Sequence, residues 1–268
     1  MQSALKRTFQ SHSKRVSGVR YLATSTEQPA QTTPKTLYGT VPSHRSYIFL
    51  HASEPPTQFP AKFSTAIQRA LLLKAMKWGA VVNFSWFGHP PALSGDKVSV
   101  TAFSAQGGRL EIPELSLENV DEVEALLRNH AEGPLTKETC DAIHLYVCTH
   151  GARDCRCGET GGAVFRALQE EVARRTKEDP NGLVSKIRVG EVGHVGGHQW
   201  AANLLIYPHG EWLGKLKPED VPQVLSAILE KQPKPFIEND TPLLLPHWRG
   251  RMGLSKDDQL QLYAAHAN

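Results

Sequence analysis

The feature that most constrains this chain is an order of elements that occurs twice. An apolar strand at Ile143–Val147 runs into a loop, Cys148–Gly158, and then into a helix predicted over Thr160–Lys177. A turn at 179–182 leads to a strand at Ile187–Val192, a Gly- and His-rich loop, a hairpin over Leu204–Tyr207 and Trp212–Leu216, and a closing helix over Pro218–Lys231. The first half follows the same plan. Tyr47–His51 reads as a strand, about Lys62 to Lys77 as a helix, then Ala80–Phe87, Lys97–Phe103 and Arg109–Ile112 as strands. A helix over Leu117–Asn129 follows, capped by Ser116 and acidic in its first turn.

A β-loop-α-β…β-β-α order is the thioredoxin-like plan. The expected fold is therefore α/β, with two thioredoxin-like halves: 36–138, and 139–232, which carries the chemistry. Residues 233–268 are read as a C-terminal tail with a short helix, N-capped at Ser255. Residues 1–35 differ in kind. Lys6, Arg7, Lys14, Arg15 and Arg20 lie among serines, with no acid before Glu27, which is the composition of a mitochondrial transit peptide followed by a linker. Removing 1–21 would turn the formal charge of +3 into −2.

Charge and hydropathy exclude two classes of partner. A net charge of +3 with no basic stripe gives no case for nucleic acid. No apolar run approaches the roughly 18 residues that span a bilayer.

Cys140, Cys148, Cys155 and Cys157 crowd into one short stretch without a secretory signal, which points to metal or redox chemistry rather than disulfides. Cys148 ends a strand and Cys157 precedes a helix, where the helix N-terminus favours thiolates. His194 and His198 lie in Gly-His-Val-Gly-Gly-His-Gln-Trp, whose glycines let the backbone turn both imidazoles toward one point. Two thiolates and two imidazoles make a complete metal-ligand set. Zinc accepts such a set, and so does an iron–sulfur cluster with sulfur on one iron and nitrogen on the other. Residue spacing alone leaves both open. A thiol–disulfide oxidoreductase using Cys155 and Cys157 is a further alternative, weakened by the missing C-x-x-C.

The run Cys148-Thr-His-Gly-Ala-Arg-Asp-Cys-Arg-Cys157-Gly, followed by Gly193-His-Val-Gly-Gly-His-Gln-Trp-Ala201, resembles the sucrase/ferredoxin-like family. Its fungal mitochondrial branch, the altered-inheritance-of-mitochondria proteins, is similar. The resemblance extends from about Ser46 to Trp248-Arg249-Gly250. It implies a thioredoxin-like ferredoxin in which Cys148, Cys157, His194 and His198 bind a [2Fe–2S] cluster. It also implies a soluble mitochondrial redox or iron-homeostasis role, with donor and acceptor proteins it does not name. No carboxylate pair is placed for glycoside hydrolysis. Around the set, His150 is expected to be solvated or beside the site, Arg153 to pair with Asp154, to offset cluster charge or to lie exposed on the surface, and Cys140 to be an inert, partly buried thiol. Trp200 is expected in the core, and Trp248-Arg-Gly-Arg and Asn83-Phe-Ser-Trp to join the halves.

Overall fold

The computed structural model describes residues 36–93, 96–136 and 139–267. The transit-peptide expectation for 1–35 lies outside the described residues. The first half contains β1 (Ser46–His51), α1 (Ala66–Ala75), β2 (Ala80–Trp86), β3 (Val98–Ser104), β4 (Gly108–Leu115) and α2 (Val120–Glu132). The second contains β5 (Ile143–Cys148), α3 (Gly162–Glu178), β6 (Ile187–Val192), β7 (Leu204–Tyr207), β8 (Glu211–Leu213) and α4 (Val221–Leu229). Two more elements follow, β9 (Trp248–Arg251) and α5 (Lys256–His266).

Each half has a parallel first pair of strands, β1 with β2 and β5 with β6. Each then adds an antiparallel hairpin beside its first strand, β3–β4 or β7–β8. This is the thioredoxin-like arrangement, built twice. The halves join into one nine-stranded sheet of order β4-β3-β1-β2-β6-β5-β7-β8-β9.

The seam is antiparallel and nearly two-fold symmetric. Ser85 faces Val192 and Trp86 faces Glu191. Gly193 N–H donates to Phe84 C=O at 3.0 Å, which mirrors the second of those pairs. On either side, Ala52 N–H donates to Ser85 C=O and Thr149 N–H to Val192 C=O.

Strand alternation sorts the side chains into three layers. Ile48 and Leu50 of β1 pack with Ile67 and Leu71 of α1 and with Val123 and Leu127 of α2. Leu145 and Val147 of β5 pack with Val164 and Leu168 of α3 and with Val224, Leu225 and Ile228 of α4. The opposite faces meet each other. Phe49 stacks on Tyr146 with ring centroids 3.9 Å apart, and Phe103 stacks on Tyr207 at 4.6 Å. Strands β1 and β5 are separated in the sheet by β2 and β6, so this contact requires the sheet to curl until its inner face meets itself. Each half thus has helices on one side and the other half's strands on the other. Stacked pairs of this kind contribute roughly 0.5–1.5 kcal/mol each beyond the area they bury.

Local chemistry sets the ends of the elements. Thr65 accepts from Gln68 N–H and starts α1 later than periodicity alone predicts. Ser255 is the N-cap of α5 that the sequence predicts, and Asp258 completes a reciprocal capping box with it. Arg175 of α3 bonds Glu171 on its own helix and donates to Pro222 C=O, which ties α3 to the start of α4.

Candidate metal centre

Cys148 is the last residue of β5 and is 1% exposed. The chain loops out through 149–154 and re-enters as helix at Cys155. Cys157 opens a π-helical turn, Cys157–Gly161, that leads directly into α3. Such wide turns are common at functional sites. The helix is held against the strand end by Gly161, where an added Cβ would lie 2.1 Å from Cys148 O. Close backbone approach is therefore what glycine at position 161 serves.

The second ligand loop leaves β6 at Gly193. Gly197 has φ +69°, and a Cβ there would meet the Arg249 guanidinium at 2.5 Å, so glycine is required on two counts. Donor atoms of Cys148, Cys157 and His194 lie within 4.8 Å of one another, the one such group among the described residues. Cys157 Sγ is 3.8 Å from His194 Nδ1. His198 stands outside that trio. Its ring centroid is 5.9 Å from that of His194, and its Nδ1 faces Asp154 Oδ2 at 3.6 Å, with 49% of the side chain exposed.

The two thiols are unequal. Hydrogen bonding from Cys157 lowers the Cys148 pKa, against its burial, with help from the Val195 and His150 amides and the Arg249 charge. Cys157 is raised by that same shared proton and by burial, while His194 pulls it down. One proton is thus shared, with Cys148 the first to become thiolate.

Several neighbours sit elsewhere than the sequence suggests. Arg153 does not pair with Asp154; Arg156 does, with two contacts of 2.9 Å that hold the Asp154 pKa at about 2. His150 is buried, not solvated. Its Nε2 donates to Pro60 C=O of the first half and its Nδ1 accepts from His194 N–H. Cys155 is exposed, and Cys140 is half-buried with its pKa raised by burial. Trp200 is buried, with the Lys215 ammonium 4.9 Å above its ring. Asn83 does join the halves, since its amide donates to Tyr47 Oη and to Gly193 C=O. Beside His194 a cleft of about 340 Å³ opens between the halves, lined among others by His44, Tyr47, Lys62, Asn83 and Trp212.

Two buried sulfurs, an imidazole at contact distance and a second imidazole one short loop away define a thioredoxin-like α/β protein with a Cys/His metal-type site. The sucrase/ferredoxin-like family model matches residues 21–250, and the chain belongs to that family. Altered inheritance of mitochondria protein 32 of Meyerozyma guilliermondii is 34% identical over 88 residues, covering 32% of this chain and 29% of that protein. Actin patches distal protein 1 of Saccharomyces cerevisiae is 31% identical over 137 residues, covering 47% of this chain and 42% of that protein. The matches thus span less than half the length of these relatives. Among solved structures, a thioredoxin-like [2Fe-2S] ferredoxin from Aquifex aeolicus overlaps 41% of this chain and 97% of its own, with 20% identity and a TM-score of 0.31. Among the described residues no helix is long and apolar enough to cross a membrane.

Proposed function

We propose that Cys148, Cys157, His194 and His198 bind a [2Fe–2S] cluster, and that the protein carries single electrons between a donor and an acceptor protein in mitochondria. The observation that carries this reading is the convergence of Cys148, Cys157 and His194 within 4.8 Å, with the ring of His198 beside that of His194. The donor set fits the group: soft thiolates suit iron–sulfur chemistry, and neutral imidazoles complete it. When bound, such a cluster supplies one-electron transfer.

The chain's own residues do the rest. Backbone amides of Val195 and His150 point at the Cys148 sulfur and stabilise its charge. Asp154, anchored by Arg156, faces His198 Nδ1 at 3.6 Å and orients the ring, which leaves Nε2 free to ligate. The exposed position of His198 sets the most accessible edge of the site, where a redox partner would dock.

Aerobic and anaerobic purification, with iron, sulfide and zinc analysis and a visible spectrum, tests the reading. Two irons and two sulfides per chain with thiolate-to-iron absorption are expected. One zinc and no colour would replace it with a zinc-stabilised module. For the location, residues 1–35 fused to a reporter should direct it to mitochondria, and a cytosolic reporter would refute that part.

A further inference from the structure

Two arginines lie two residues apart on β9, both 1% exposed, and only one has an acid. Arg251 donates from Nε to Glu211 Oε1 at 2.5 Å and from its other nitrogens to Ile237 and Asp240 carbonyls. Glu211 is itself fully buried and also accepts from Leu243 N–H, so this pair is complete.

Arg249 is as deeply buried, and every acceptor it has is neutral. Its Nε donates to Thr40 Oγ1, its Nη1 to Asn203 Oδ1 and Gly196 C=O, and its Nη2 to Thr40 C=O. Its face lies 5.6 Å from the Trp212 ring. No carboxylate pairs with it among the described residues. A buried cation without an anion costs several kcal/mol unless negative charge lies close by. Burial lowers the Arg249 pKa to about 10, and the charges that act to retain its proton are those of Cys148 and Cys157.

We infer that Arg249 is the counter-charge and positioning residue of the Cys148/Cys157/His194/His198 site. It holds the histidine loop through Gly196 and Asn203, and it stabilises the negative charge that the loaded site gains on reduction. This rests on the cluster reading above. With two thiolates and two neutral imidazoles, the site is neutral when oxidised and gains one negative charge when it accepts an electron from an external one-electron donor. A fixed cation beside it favours that reduced state.

The test compares wild type with Arg249→Gln and Arg249→Lys, each in metal-free and loaded form. Thermal unfolding gives the rise in Tm on loading, and a dithionite titration followed in the visible gives the midpoint potential. The Gln variant should show a smaller rise in Tm on loading and a more negative potential. Lysine, which keeps the charge but not the fork, should restore the potential while losing iron to a chelator several-fold faster than wild type. A purely structural role would lower the Tm of both forms equally and leave the rise and the potential unchanged, and that result would overturn the inference. If Arg249→Gln retains no cluster, Arg249→Lys decides: a loaded Lys variant with wild-type potential supports the charge role, and one that also fails to load overturns it. A wild type without iron and sulfide would instead defeat the cluster reading itself.

Discussion

The two halves carry the same strands in the same register and differ in what stands at the strand ends. β1 and β5 are each six residues long, and each pairs in parallel with the next strand from its first residue, Ser46 with Ala80 and Ile143 with Ile187. Position for position, Cys148 therefore corresponds to His51, and His194 to Phe87. Tyr47 corresponds to His144, and Trp212 to Glu111. Phe49 corresponds to Tyr146 and Phe103 to Tyr207, so each stack at the seam joins a residue to its own counterpart. The cleft beside His194 has a counterpart too, a cavity of about 550 Å³ lined by His51, Phe87, Arg109, Glu111, His144 and Arg188. The scaffold is common to both halves, and the metal-type chemistry resides in a few residues at strand and helix ends. What the first half contributes to that chemistry is a wall: Tyr47, Asn83 and the Pro60 carbonyl that holds His150.

The sharpest way to break this comparison is to remove ligands on one side and their counterparts on the other. Cys148→Ser or Cys157→Ser should abolish iron binding, because a hydroxyl is a poor ligand for this metal. His51→Ala and Phe87→Ala should leave iron content at the wild-type level, and so should Cys155→Ser at its exposed position. Iron and sulfide analysis of the purified variants reads this out; loss of iron on replacing His51 would mean that the halves are not chemically distinct.

The seam offers a second test. Phe49→Ala should cost about 3–5 kcal/mol, as for other buried aromatic truncations. Circular dichroism and tryptophan fluorescence should then report one lowered transition, with both halves melting together. Two separated transitions would show that the stacked rings do not couple the halves.

A smaller effect distinguishes the halves by pH. At the place where the first half has Tyr47, the second has buried His144, whose pKa falls to about 3 through burial and the Arg109 and Arg188 charges. His44 and His209 fall to about 4, mainly by burial. These folded-state values lie below the unfolded 6.5, so the unfolded chain binds protons first. Stability is full above pH 6.5 and is lost as pH falls toward 4, by about 2 kcal/mol per histidine at pH 5. The measurement is Tm from pH 8 to 5. His144→Phe should flatten its acid side, and an unchanged slope would remove His144 from the account.

Much of this was legible in the chain. Ile187–Val192 and Leu204–Tyr207 are read from sequence with the bounds the structure has, because apolar β-branched runs between turn residues have one reading. The proposed ligands stand out because cysteine and histidine beside glycine at loop positions are rarely needed for packing. Strand β9 is not legible: Trp-Arg-Gly-Arg has no apolar alternation, and its burial depends on Glu211 and Thr40, far away in sequence. The Arg156–Asp154 pair loses to the neighbouring Arg153 on paper because both are in reach, and only the helical turn at Cys155 selects between them. The curl of the sheet is likewise absent from any local pattern, since it follows from aromatic faces that meet across the seam.

The clasp between Thr40 and Arg249 also bears on the order in which the molecule assembles. All four proposed ligands come from residues 148–198, whereas this contact closes a loop of 209 residues. Loop-closure entropy rises with length, so the longer closure costs about 1 kcal/mol more than the ligand loop and gains little until β9 is docked. The entropy of closing such a loop must be spent before the non-local contact rewards it. The sulfur and imidazole donors can thus converge while the edge beside β8 is still open to solvent, and the arginine closes over them afterwards, as the last strand goes on.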